Sequence, residues 1–380
     1  MTPRADDRDE EDGLGDVDIV TLAECSKVSM GSTFHVEPFR FSARVGDVDF
    51  GPEFDIYFDE CSNEVYDTSR IADFLALSGI LFLGKKPTAL QAGSFAEKHP
   101  KLVKAMEQRV LKSTEECIKE ALARFRRWKD AYNIELRASD KDKARASMED
   151  LVNISPKSSL KTLFTHGCLN LPTKSVSPWS KADQTTGFVH PMLSCLVTKP
   201  DQARLVHTAT APTTGSLYVQ LFKDLGSSSK HPDLIVNHQK AVDVGFGEIS
   251  FEAGFSKDQG DLCRLCLWVK RALDQLQTEF EGLQDVDLNF VQVISKDCHI
   301  YQMSKFGSVC VVMEISKFEI VQDLESLLQF EDNLPAWLAL EKSFMRLLDQ
   351  MSSCTPREDK SKARPCYPGL STPSSRNMPH

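Results

Sequence analysis

The spacing of apolar and polar positions changes several times along the chain, and each change predicts an element. Residues 34–58 alternate, with Phe39, Phe41, Ala43 and Val45 on one side, then Phe54, Ile56 and Phe58. A period of two predicts strands. The longest apolar run, Ile71 to Leu83, contains Asp73 and is too short to cross a bilayer, so it reads as a buried element. Residues 98–135 are helical in pattern. Leu111, Ile118, Phe125 and Tyr132 recur every seven residues, accompanied by Thr114, Ala121 and Trp128. That spacing suits the core face of a long amphipathic helix, and it also suits a seam that pairs with a second helix. Residues 154–215 are rich in Ser, Thr, Pro and Lys and read mainly as loop or linker.

From residue 216 the pattern sharpens. Ser216 to Phe222 reads either as a strand or as a short helix. Leu234–Val236 and Ala241–Phe251 read as strands joined by a turn at Asn237-His238-Gln239-Lys240. Asp258 to about Glu281 is a helix with Leu262, Leu265, Cys266, Val269, Leu273 and Leu276 on one face, Asp258 as its cap and Gly282 as its stop. Strands follow at Leu288–Ser295, His299–Met303 and Ser308–Ser316, then helices near Asp323–Phe330 and Pro335–Met351. This order predicts an α/β (α+β) chain, a mixed sheet flanked by helices, with a β-plus-helix region before it. The expected division is an acidic disordered tail over 1–16, an N-terminal β/helical region over 17–153, a linker over 154–215, a mixed domain over 216–351 and a disordered tail over 352–380.

Composition alters this picture mainly through charge. The 380 residues carry a formal net charge of −10, which argues against an indiscriminate DNA coat. The charge is unevenly spread: residues 98–240 hold 23 basic and 14 acidic side chains, net +9, and residues 241–351 hold 9 and 19, net −10. The basic stretch is a candidate track for a polyanion if the fold gathers it on one face; otherwise it is a set of solvated helix faces. The opening stretch is acidic and lacks an apolar core, and eleven cysteines sit at irregular spacings. Both features lead to the expectation of an intracellular protein, nuclear or cytoplasmic, without a membrane segment.

Three motifs are weighed and set aside. Gly79 to Lys86 nearly fits phosphate-loop spacing, but Lys86 replaces the magnesium-binding hydroxyl and the intervening residues are bulky and apolar. Gly245-Phe-Gly247 lies within a strand and lacks the third glycine of a dinucleotide loop. Cys263-Arg-Leu-Cys266 has metal-ligand spacing, but both cysteines fall on the apolar face of their helix, where free cysteine packs as a small hydrophobe.

One constellation remains: His231-Pro232-Asp233, then Glu248-Ile249-Ser250 on the next strand. If the strands pair, the carboxylates of Asp233 and Glu248 approach each other at one end of the sheet. Two acids with the Ile249 carbonyl suit Mg²⁺, an oxygen-seeking ion that polarises a phosphodiester and activates water. Gly245 and Gly247 leave room for a backbone or ligand to approach.

These pieces resemble the PD-(D/E)XK, or restriction-endonuclease-like, superfamily. The residues from His231 to about Met351 are similar to a nuclease-like group abundant in some early-diverging fungi. The likeness rests on HPDLIV, VDVGFGEIS, GDLCRLCLWVKRALDQL, FVQVISKDCHIYQM and VCVVMEISKFEI. It implies a restriction-endonuclease-like sheet, a core of helix, three strands, helix and strand over 216–295, and Asp233 and Glu248 as metal ligands. It also implies a lysine two residues after Glu248, where this chain has Ser250. Lys240, Lys257 or Lys270 would have to supply the positive charge. The expected function is a nuclease-like domain, intact or degenerate, that binds or cleaves nucleic acid with Mg²⁺. The alternative is a non-catalytic interaction protein using that fold and the 98–135 helix for a protein partner or self-association.

Overall fold

The computed structural model describes residues 40–62, 70–84, 86–111, 119, 121–123, 125–127, 129–130, 159–172, 180–197, 203–207, 232–238, 242–250, 255–283 and 286–356. Two short strands, β1 (Arg44–Val45) and β2 (Val48–Asp49), precede helices α1 (Gly51–Ser62) and α2 (Ile71–Ala76). Strand β3 (Ile80–Leu83) and helices α3 (Ala89–Phe95), α4 (His99–Leu111) and α5 (Ser159–Asn170) follow. Helix α6 (Lys181–Gln184) runs through a π-helical turn (Thr185–Val189) into α7 (His190–Ser194). Then come β4 (Ala203–His207), β5 (Leu234–His238), β6 (Val242–Ser250), the long helix α8 (Phe255–Glu279) and β7 (Phe280–Glu281). The chain continues through β8 (Asp287–Ile294), β9 (Asp297–Phe306), β10 (Val309–Glu319), α9 (Leu324–Leu328), a 3₁₀ turn (Phe330–Asn333), α10 (Leu334–Ser353) and β11 (Thr355–Pro356).

Seven strands form one mixed sheet in the order β3-β10-β9-β8-β6-β5-β4. The β3–β10 and β6–β8 pairs are parallel and the remaining pairs antiparallel. Helix α8 makes the β6-to-β8 crossover and packs on one face, against β6, β8 and β9. Helices α10 and α4 cover the other. There Asn289 on β8 donates to Ser343 on α10 (2.7 Å), and Arg109 on α4 donates through Nε to both carboxylate oxygens of Asp287 (3.0 and 3.1 Å). With both faces covered, seven of the eight β8 residues are buried, which is why this segment reads as a nearly continuous apolar run.

The hairpin, helix and strands expected after residue 233 all form, with ends shifted by a few residues. The earlier part of the chain differs. Residues 51–62 are helical, not extended: Phe54, Tyr57 and Cys61 recur at helical spacing and are buried, while Ile56 is 53% exposed. The 71–83 run is two elements, α2 and β3, separated at Gly79, whose φ of +71° makes the turn. Because β3 pairs with β10, the sheet draws an edge strand from the expected N-terminal region. The stretch expected as linker, 154–215, contains α5, α6, α7 and β4. Its first described residue, Ser159, is fully buried; its hydroxyl accepts from Trp337 Nε1 (2.6 Å) and its amide donates to Glu341 (2.6 Å). Ser216–Phe222, the 1–16 tail and residues 357–380 lie outside the described residues; the start of the expected 352–380 tail is ordered, since α10 runs to Ser353 and β11 pairs with β7, and the first strand of the sheet's β4-β5-β6-β8 portion is 203–207.

Phe125 is buried against the ring of Phe164 (centroids 5.4 Å apart), so at this position the heptad pattern marks core, not a free seam. Ile118, Trp128 and Tyr132 lie outside the described side chains. Among the described residues no helix is long and apolar enough to cross a membrane.

Candidate functional site

Strands β5 and β6 pair in a register that sets Leu234 opposite Gly247. One step further along, Asp233 stands opposite Glu248. Opposed residues in an antiparallel pair project to the same face. Here the two carboxyl groups meet in a hydrogen bond, Glu248 supplying the proton. The second Asp233 contact fixes its direction: Oδ2 accepts the Ile249 amide at 2.8 Å. The Ile249 carbonyl lies on the same edge of β6 as its amide, facing position 232. Pro232 has no N–H to give it.

Glu248 is 7% exposed, and its carboxyl is pushed up to about 9. Burial is the main cause and the nearby charge of Asp233 adds to it; the guanidinium of Arg264 opposes both, and Asp261 raises it further. Arg264 lies on α8, with NH2 3.9 Å from Glu248 Oε1, and it is also ion-paired to Asp261 three residues before it. At neutral pH Glu248 therefore keeps its proton, beside the fixed positive charge of Arg264.

The next strand extends the row. Gln292 on β8 is in register with Glu248, is 2% exposed, and donates to the backbone carbonyl of Asp258 in the first turn of α8 (2.6 Å). Beyond it on β9, His299 is in register with Gln292, and its Nδ1 lies 3.1 Å from Glu314 Oε1 on β10. Asp233, Glu248, Gln292 and His299 thus form one transverse polar line. It crosses the face that α8 covers, near the carboxyl ends of β6 and β8, where open α/β sheets bind ligands.

The other expected residues fall differently. Lys270 does not join the acids: its ammonium is 3.0 Å from Asp274, which also holds Lys305 (2.5 Å). Lys270 is on α8 six residues beyond Arg264, and its Asp274 partner faces Lys305 on β9, two strands from β6. Lys240 and the side chain of Lys257 lie outside the described residues. Ser250 is buried, and its carbonyl accepts the Ser295 amide at 2.6 Å.

Gly245 and Gly247 serve packing and leave no space for a ligand. A Cβ at Gly245 would lie 3.1 Å from Val236 and 3.2 Å from the Phe344 ring, and one at Gly247 would lie 2.9 Å from Val291. Cys263 and Cys266 are both buried, and burial raises the Cys266 thiol far above its ordinary range, which keeps it protonated and unreactive.

Sequence reasoning missed Arg264, Gln292 and His299. Arg264 sits inside a helix read mainly for its apolar stripe. Gln292 and His299 become neighbours of Glu248 only through the strand order. Among the described residues no group of three or more His, Cys, Asp or Glu side chains is gathered as a metal cluster. Compared with protein-family models, curated proteins and solved structures, the chain matches none.

Proposed function

We propose that this chain is a restriction-endonuclease-like, nuclease-like domain that engages a nucleic-acid phosphodiester at Asp233 and Glu248. The observation that carries this reading is the carboxyl pair itself, held opposite across β5 and β6 where strand, strand, helix and parallel strand follow in the expected order. Two carboxylates and the Ile249 carbonyl form an all-oxygen set that suits Mg²⁺, an ion that commonly binds through one or two carboxylates and keeps several waters. The fit requires Glu248 to release its proton. When bound, Mg²⁺ would polarise the phosphodiester and lower the pKa of the attacking water.

The chain's own residues supply the rest. Asp233 is oriented by the Ile249 amide, and Glu248 is held between Asp233 and Arg264. Ser250 carries no charge; among the described residues Arg264 is the cation beside the acids, and Lys270 is not. A guanidinium remains protonated, so its role is to attract and steady phosphate charge, not to remove a proton from water. The basic 98–240 segment is the candidate track for the rest of the polyanion. Mg²⁺-dependent cleavage of DNA or RNA by the wild-type chain, lost in Asp233→Asn and Glu248→Gln, is the expected result. Cleavage that survives both changes overturns the assignment.

A second reading rests on the closed state of the same pair. A neutral, buried Glu248 with Arg264 bound to Asp261 describes an acid pair used as a structural clasp in a non-catalytic domain. On that reading neither Mg²⁺ nor nucleic acid binds, and both substitutions lower the melting temperature without altering any cleavage.

A further inference from the structure

We infer that Arg264 is a gate: its guanidinium stands over the acid pair and keeps it closed to a divalent ion until a nucleic-acid phosphate draws it away. This rests on the nuclease reading above, and it gives that site an order of events, phosphate before metal.

Arg264 is the reachable member of its cluster. The side chains of Glu248 and Asp261 are 9% and 5% accessible, whereas that of Arg264, which touches both, is 34% accessible. The guanidinium therefore lies on the outer side of the two acids. Asp233, on the other side of Glu248, is itself only half-buried. A phosphate can meet Arg264 at the surface without passing beneath α8.

The guanidinium is held by one corner. Nη2 alone makes both contacts, an ion pair with Asp261 Oδ1 and the 3.9 Å approach to Glu248 Oε1. Nε is buried and, among the described residues, donates to no acceptor. Arg109 on the opposite face shows the fuller grip: its Nε donates to both oxygens of Asp287, and its Nη2 lies 3.0 Å from Oδ1. Phosphate oxygens offer a guanidinium the same two-point contact. As the side chain swings outward, Nε leaves a buried position without a partner for one where phosphate or water can satisfy it.

Charge links the two positions of Arg264 to the state of the acids. Exchange of the Glu248 proton for Mg²⁺ adds one positive charge next to the guanidinium. Repulsion between like charges is strong where water is largely excluded, so Arg264 in its present position opposes the exchange. A phosphate that takes the guanidinium removes that opposition. Coupling between two binding events is reciprocal, so an ion at the acids in turn tightens the hold on phosphate.

Equilibrium metal binding tests the gate without relying on turnover. Full-length wild type, Arg264→Gln and Arg264→Lys are titrated with Mg²⁺ at one pH, alone and with a saturating phosphorothioate-linked DNA duplex. Glu248→Gln carried through the same titrations subtracts ions held by the DNA or elsewhere on the chain. Without DNA, Arg264→Gln should bind Mg²⁺ about 5–150-fold more tightly than wild type, the usual range of coupling between two sites. Arg264→Lys keeps the charge and should stay within about threefold of wild type. DNA should raise the wild-type affinity to about that of Arg264→Gln and leave the variant unchanged. Equal affinity in wild type and Arg264→Gln, equal tightening by Arg264→Lys, or a DNA effect of the same size in wild type and Arg264→Gln overturns the gate while leaving the acid pair standing. Absence of any Mg²⁺ binding dependent on Glu248, in all three proteins with and without DNA, overturns both.

Discussion

Asp233 and Glu248, fifteen residues apart in the chain, face each other across neighbouring strands and are joined by a hydrogen bond in which Glu248 keeps its proton. The pairing has a thermodynamic signature. Glu248 holds its proton up to about pH 9, against 4.5 for the free side chain. Between those values the folded chain binds a proton that the unfolded chain lacks. The resulting stabilisation is complete below 4.5 and is lost as pH rises through about 9. In the presence of a chelator, the melting temperature should fall as pH is raised across this window. Glu248→Gln, which keeps a donor toward Asp233 but cannot ionise, should flatten that slope. An unchanged slope in the variant would mean that the proton is held elsewhere.

The same proton competes with a metal ion. If Mg²⁺ binds at this pair it must displace one proton, so its affinity should climb by about tenfold for each unit that pH is raised toward the Glu248 value. Isothermal titration at three pH values checks this, with Asp233→Ala as the control. Affinity that is flat with pH would place any bound ion at another site.

On the opposite face of the sheet, Asp287 ties three elements together. Its carboxylate accepts from Arg109 on α4 and Ser304 on β9, and Arg346 on α10 lies 3.8 Å away. Asp287→Ala removes the acceptor that both arginines share. The expected loss is about 2–4 kcal/mol, below the fully buried figure because both arginines are partly exposed. Urea denaturation measures it, and a loss below about 0.5 kcal/mol would show the cluster to be incidental.

Phe125 separates a core role from an interface role for the helical stretch after residue 98. With its ring buried against Phe164, Phe125→Ala should cost about 3–5 kcal/mol of stability. Sedimentation should show the same association state as wild type. A variant of unchanged stability and altered association would restore the seam.

The C-terminal half was legible because its strands are covered on both faces and its helices on one, so burial writes a clear period into β8, β9, α8 and α10. Near the N-terminus the signal was ambiguous. Phe54, Ile56 and Phe58 alternate as a strand would, yet Phe54, Tyr57 and Cys61 fit a helix equally well, and only packing decides between them. In the site, Asp233 and Glu248 were within reach of sequence because a hairpin joins their strands. Arg264 contacts Glu248 across the crossover that follows β6. Gln292 and His299 depend on which strands are neighbours, a property of the whole sheet that no local spacing records.

The parallel pairing of β3 with β10 has a consequence for how the chain is made. Ile80 is aligned with Cys310, so an apolar edge strand leaves the ribosome long before the strand that will carry it. At ordinary translation rates that interval is about 10–50 s. During it, the Ile80–Leu83 segment and the aromatic cluster of α1 beside it have no sheet to rest on. The N-terminal portion therefore keeps apolar surface uncovered until the last third of the chain is synthesised, and truncation before β10 should leave it prone to aggregate.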